Sequence, residues 1–92
     1  MTATADQVAE ELRVLLAEVT GRAELRAIPA ATPLFGGGVG LDSLAGTLLL
    51  RQVERRYGVD VAADDLNLDS LETLGTLAAF IASRITDPPG PR

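Results

Sequence analysis

The sequence predicts an all-α fold, a small four-helix bundle of three long helices and one short one with a long first loop. Three observations predict it. Apolar residues recur at helical spacing in three separate stretches. Those stretches are bounded by residue types that start or stop helices. No two alternating segments offer a strand pair, and the chain has no internal repeat. Ninety-two residues suit one small domain with one modest core. The domain is expected over residues 1–86, followed by a disordered proline-rich tail at 87–92.

The first helix is predicted over residues 5–19. Val8, Leu12, Leu15, Leu16 and Val19 form its apolar stripe, with Glu10, Glu11, Arg13 and Glu18 on the other side. Thr4 and Gln7 have capping-box spacing, and Gly21 is a suitable terminator. From Arg22 to Leu41 the pattern dissolves, because Pro29, Pro33, Gly36, Gly37, Gly38 and Gly40 break any regular element. A connection of about 20 residues is long for a compact domain, and such loops tend to be functional or mobile. Leu25, Ile28, Leu34 and Phe35 are expected to pin it to the core.

The second helix starts at Asp42 or Ser43 and ends near Tyr57, with Gly58 as its left-handed terminator. Projection at about 100° per residue puts Gly46, Leu49, Leu50, Val53 and Tyr57 on the core side. Val59-Asp60-Val61 is too short for an independent strand, and Ala63 to Leu66 is read as the short helical turn. The last helix is expected to begin near Asp69 or Ser70, with Asp69 and Glu72 as its cap, and to run to about Arg84. Leu74, Leu77, Ala78, Ile81 and Ile85 form its buried stripe. The tail Asp87-Pro88-Pro89-Gly90-Pro91-Arg92 cannot continue a helix.

Composition narrows the chemistry. An apolar fraction of 47% argues for a folded chain despite a net charge of −5. The acidic balance argues against nucleic acid as a partner, whose backbone binds clustered positive charge. It favours partners with basic docking surfaces. No apolar run approaches the roughly 18 residues of a membrane span, and the first residues lack the basic and apolar parts of a signal peptide. A cytoplasmic monomer that does not bind membranes is therefore expected. The chain has no cysteine and no histidine, and all its basic residues are arginine. That removes the usual nucleophile–base pairs and most metal-ligand sets, so neither an enzyme nor a metal site is expected. The absence of lysine fits GC-rich codon usage.

The most informative run is Gly40-Leu41-Asp42-Ser43-Leu44. It sets a serine hydroxyl at the start of a helix, where unpaired N–H groups and the helix dipole favour a phosphate. Asp-Ser-Leu occurs again at Asp69-Ser70-Leu71, so the tripeptide alone does not decide. Context does. Ser43 follows a glycine-rich approach whose small side chains admit an enzyme, whereas Ser70 follows the more crowded and acidic Asp64-Asp65-Leu66-Asn67-Leu68. As a bare helix start Ser43 is explained by capping alone, and Ser70 keeps that reading.

This run, followed by a helix ending in Arg56-Tyr57-Gly58-Val59, resembles the acyl carrier protein family over roughly residues 5–85. The resemblance implies that Ser43 carries a covalent 4′-phosphopantetheine arm, because the family requires a long helix, a short one and a final one after its serine. It implies support from Gly40, Asp42 and Leu44. It further implies as partners a phosphopantetheinyl transferase, an acyl- or aminoacyl-loading ligase and downstream condensing or tailoring enzymes. Leu44 and Leu48, with Arg51 and Arg55, project away from the core and form the candidate docking face. Leu44 has the alternative of packing beneath the long loop.

Fatty-acid carriers have acidic residues at the positions of Ala45 and Leu48, where this chain is apolar. That departure points to a free-standing carrier of acyl thioesters in a specialised, secondary-metabolite pathway. Asp42 before the serine resembles acyl carriers, while the face of the second helix leans toward peptidyl carriers, which leaves an aminoacyl carrier as the alternative. A reading of another class is an unmodified helical adaptor that binds through Leu44 and Leu48.

Overall fold

A computed structural model describes residues 4–59 and 71–86 of the chain. Among them the order is α1 (Ala5–Thr20), a 3₁₀ helix (Ala23–Ala27), α2 (Ser43–Tyr57) and α3 (Leu74–Thr86). The expected all-α bundle is observed. The short helix expected at 63–66, the cap residue Asp69, Ser70 and the tail at 87–92 lie outside the described residues.

Local chemistry sets the ends of α1. The Thr4 hydroxyl accepts a hydrogen bond from the Gln7 amide at 3.1 Å, and the Gln7 side-chain oxygen accepts one from the Thr4 N–H at 3.0 Å. This is the reciprocal box the spacing predicts. At the other end Gly21 turns left-handed and returns its N–H to the Ala17 carbonyl. Val8, Leu12 and Leu16 are fully buried. Val19, assigned to the same stripe, is only half-buried because α1 ends there at the mouth of a groove. The helix packs most extensively against α3 and less against α2.

The connection between α1 and α2 is more ordered than its prolines and glycines suggest. Its first part forms the 3₁₀ helix, started by the Leu25 N–H on the Arg22 carbonyl and anchored by the buried Leu25. Ile28 stops it, held extended ahead of Pro29. The second part is tied to the start of α3: Leu34 N–H donates to the Glu72 carbonyl, Leu74 N–H to Thr32 and Gly75 N–H to Ala30. Leu34 is fully buried, as are Val39 and Leu41 nearly so, two loop residues that hydrophobic periodicity does not reveal. Phe35 is 41% exposed and does not enter the core. Its ring lies over α2 at Gly46, where an added Cβ would come within 3.1–3.2 Å of it.

These ties also correct the start of the last helix, which is Leu74 rather than Asp69 or Ser70. The chain entering the helix is engaged with the loop, through those bonds and an isolated antiparallel bridge between Pro33 and Thr73. The cap is instead Thr73, whose hydroxyl accepts from the Thr76 N–H at 3.1 Å while its own N–H donates to the Thr76 hydroxyl at 2.9 Å. Leu74, Leu77, Ala78 and Ile81 are buried as expected, and Ile85 packs at the margin of the core.

Candidate functional site

The path to Ser43 is set by the loop before it. Val39 N–H donates to the Pro33 carbonyl at 2.8 Å and Leu41 N–H to the Leu34 carbonyl at 3.0 Å, so residues 33–41 fold back on themselves. Gly38 passes so close that a Cβ there would lie 2.1 Å from the Pro33 oxygen. Gly40 has φ 73°, a left-handed turn that side chains disfavour. Gly38 and Gly40 are thus demanded by the loop's own path, beyond any need for enzyme access. Leu41, buried behind them, anchors the chain one residue before α2 begins.

Asp42 is the N-cap of α2, and its carboxylate accepts from the Ala45 N–H at 2.7 Å. Ser43 is the first helical residue and is exposed. Its carbonyl accepts from the Thr47 hydroxyl, while its own hydroxyl bonds no described residue. The amides of Ser43 and Leu44 stand at the open end of the helix, beyond the reach of intrahelical acceptors. A phosphodiester on the Ser43 oxygen would meet these N–H groups and the positive end of the dipole, worth about 0.3–1 kcal/mol at an exposed terminus. The residues present therefore fit a phosphate-linked arm.

Leu44 is 70% exposed, so it does not pack beneath the loop. Leu48 is 40% exposed one turn later, and Arg51 and Arg55 continue the same face in solvent without an ion pair to any described residue. Sequence projection places all four as observed. What it misses is a groove of about 300 Å³ beside Ser43, walled by Val19, Thr20 and Arg22 on one side and Leu44 and Leu48 on the other, with residues 39–42 between them. No local pattern signals it, because three separate elements build it.

The opposite end of α2 is closed. Arg56 and the Tyr57 hydroxyl both donate to one oxygen of Glu11 on α1. The Tyr57 hydrogen bond, and then Arg56, hold the Glu11 carboxyl below its ordinary range. Burial, reinforced by Glu11, pushes the Tyr57 phenol up. Gly58 then ends the helix left-handed. At 1.5 Å per residue this clamp lies about 20 Å from Ser43, so it steadies the helix without touching the site.

No helix among the described residues is long and apolar enough to cross a membrane, and none of them cluster as a metal-ligand set. No curated protein and no solved structure matches the chain significantly. A family model does: the one described as the phosphopantetheine attachment site matches residues 10–81, which takes in most of α1, the loop, α2 and most of α3. Carriers of this kind are served by a phosphopantetheinyl transferase and visited by biosynthetic enzymes. An exposed serine at a helix start, the loop that presents it and the family match converge, and the chain belongs to the phosphopantetheine-attachment family, the acyl and peptidyl carriers whose cofactor is a covalent 4′-phosphopantetheine.

Proposed function

We propose that Ser43 is the attachment residue and that the chain, with residues 1–86 as its carrier domain, holds acyl intermediates in a specialised biosynthetic pathway. The arm supplies a terminal thiol that carries the acyl group as a thioester. The observation that carries this reading is the exposed hydroxyl of Ser43 at the first position of α2, inside the matched region and bonded to no described residue. Asp42 holds that helix end by its bond to Ala45, and Gly40 and Leu41 fix the approach. The chain performs no catalysis of its own. It has no histidine, cysteine or lysine to act as base or nucleophile beside the serine. Its contribution is effective concentration, since a tethered substrate meets successive active sites without dissociating. It acts as a monomer in the cytoplasm, where coenzyme A supplies the arm.

Leu44, Leu48, Arg51 and Arg55 form the partner-docking face. Two exposed leucines beside two arginines that pair with no described residue suit an enzyme patch with an apolar centre and acidic rim. That same composition favours a second reading, an aminoacyl carrier of a nonribosomal-peptide type of pathway.

Intact mass after incubation with a promiscuous phosphopantetheinyl transferase and coenzyme A tests the carrier function. A gain of one phosphopantetheinyl group is expected; an unchanged mass returns the chain to the reading of an unmodified adaptor. Loading the modified protein with a panel of carboxylic and amino acids, using its cognate ligase, then separates acyl from aminoacyl cargo.

A further inference from the structure

We propose that Phe35, its ring seated on Gly46, is a docking residue for the phosphopantetheinyl transferase and forms one side of an apolar rim around Ser43 whose other side is Leu44 and Leu48. This rests on Ser43 as the attachment residue and adds what the modifying enzyme grips.

Among the described residues the exposed large apolar side chains are Phe35, Leu44 and Leu48. Single exposed apolar residues are ordinary on a protein surface. These three are grouped around one hydroxyl. At about 100° per residue, Leu44 and Leu48 project about 100° and about 140° to one side of Ser43, and Gly46 about 60° to the other. The Phe35 ring lies on that Gly46 side, its Cε1 and Cζ 3.1 and 3.2 Å from where a Cβ would stand. Positions three apart on a helix are neighbours, with about 5–6 Å between Cβ atoms, so the ring flanks the serine.

The ring is held in that place. Leu34 before it is fully buried, its N–H donating to the Glu72 carbonyl and its carbonyl accepting from the Leu41 N–H. Gly36 after it turns left-handed at φ 73°. Those constraints fix the backbone at Phe35, and the missing side chain of the buried Gly46 makes the seat. A glycine inside a helix is destabilising relative to alanine. What the fold gains is an aromatic ring, 41% exposed, in one fixed position. A pre-placed aromatic anchor binds a partner at little ordering cost.

The chemistry at Ser43 selects the occupant. Arm transfer forms a bond from the Ser43 oxygen to the pantetheine-side phosphorus of coenzyme A. The pyrophosphate bond breaks, the adenosine bisphosphate half leaves, and the hydroxyl proton passes to a base of the enzyme. The reacting atoms must first lie about 3–3.5 Å apart, so this enzyme closes over the surroundings of the serine. Enzymes that act on the cargo work at the thiol, at the far end of the arm. The ring beside Ser43 therefore serves the transferase.

Steady-state kinetics of arm transfer test this, with a promiscuous phosphopantetheinyl transferase, coenzyme A and the carrier as the varied substrate. Intact mass is recorded on each product and far-ultraviolet circular dichroism on each variant. Phe35→Ala should raise KM for the carrier about tenfold and hold kcat within about twofold, the pattern of lost binding. Gly46→Gln, whose side chain takes up the seat, should raise KM as well, and in the Phe35→Ala background it should add less than about twofold. Wild-type KM in a folded Phe35→Ala protein overturns the docking role and leaves the attachment intact. Equal effects of Gly46→Gln with and without the ring overturn Gly46 as its seat. A wild-type protein that gains no mass overturns the attachment itself, and the docking role with it.

Discussion

Leu48 and Leu49 are neighbours in one helix and chemically identical, yet one is 40% exposed and the other 2%. A single step of about 100° separates them. Leu49 and Val53 are buried in the core cluster together with residues of α1, the loop and α3. Leu48 shares its face with Leu44, Arg51 and Arg55, and has solvent on one side and a shallow groove on the other. The difference teaches how so small a chain divides its work. One face of α2 holds the fold together, while the other stays apolar at a cost in solubility, which makes sense when something else covers it in use.

The comparison breaks most easily from the inside. Leu49→Ala is expected to cost about 2–5 kcal/mol, because it leaves a cavity in a core that cannot fully collapse around it. Leu48→Ala should cost less than about 1 kcal/mol, as a partly exposed side chain loses little burial. Chemical-denaturant melts of the two variants check this, and equal losses would put the helix out of phase with its observed faces.

Gly38→Ala comes next in size. The added methyl collides with the Pro33 carbonyl at 2.1 Å, where backbone meets backbone and no side chain can move aside. A loss of about 1–3 kcal/mol is expected, typical of overpacking. Amide shifts should move from Val39 through Ser43 while those of α1 and α3 stay in place. Unmoved resonances at Leu41 and Ser43 would detach the loop's path from the presentation of the serine.

The clamp at the closed end of α2 has a pH dependence of known sign. Glu11 has its folded pKa held below the ordinary 4.5. Its contribution is therefore fully present above that value and is lost as pH falls through the lower folded value. The groups are partly solvated, so the amount is no more than about 1 kcal/mol. Stability measured from pH 6 to pH 3 should fall more steeply for wild type than for Glu11→Gln. Parallel curves would mean that Glu11 is not held in the folded state.

The outer face should show little in stability and more in rate. Leu48→Glu is expected to fold normally and to slow loading of the modified protein by its ligase, since the carboxylate must be desolvated against an apolar patch. Arg51→Glu should slow loading in a way that added salt weakens, because a rim charge acts mainly through encounter. Loading rates at two salt concentrations decide it; wild-type rates for both variants would reduce this face to plain surface.

What could be read in advance was local. Thr4 with Gln7, Gly21, Asp42 and Gly58 sit at their helix ends as spacing and residue type dictate, and the inward stripe of α2 is where the projection puts it. What escaped was long-range. The start of α3 moved to Leu74 because backbone bonds from Ala30, Thr32 and Leu34 hold the residues around it, and no periodicity encodes a bond across some forty residues of chain. Val39 and Leu41 read as loop and proved to be core for the same reason. The site divides along the same line: Ser43 and the exposed leucines are legible in one short stretch, whereas the groove needs Val19 and Arg22 brought to them by the fold.

The most direct measurement is the intact mass of Ser43→Ala and Ser70→Ala after treatment with a phosphopantetheinyl transferase and coenzyme A, beside wild type. Helicity should survive in Ser43→Ala, because Asp42 still caps α2 through Ala45. The account predicts that Ser70→Ala gains the arm as wild type does and that Ser43→Ala gains nothing. A folded Ser43→Ala protein that still gains the arm would contradict it.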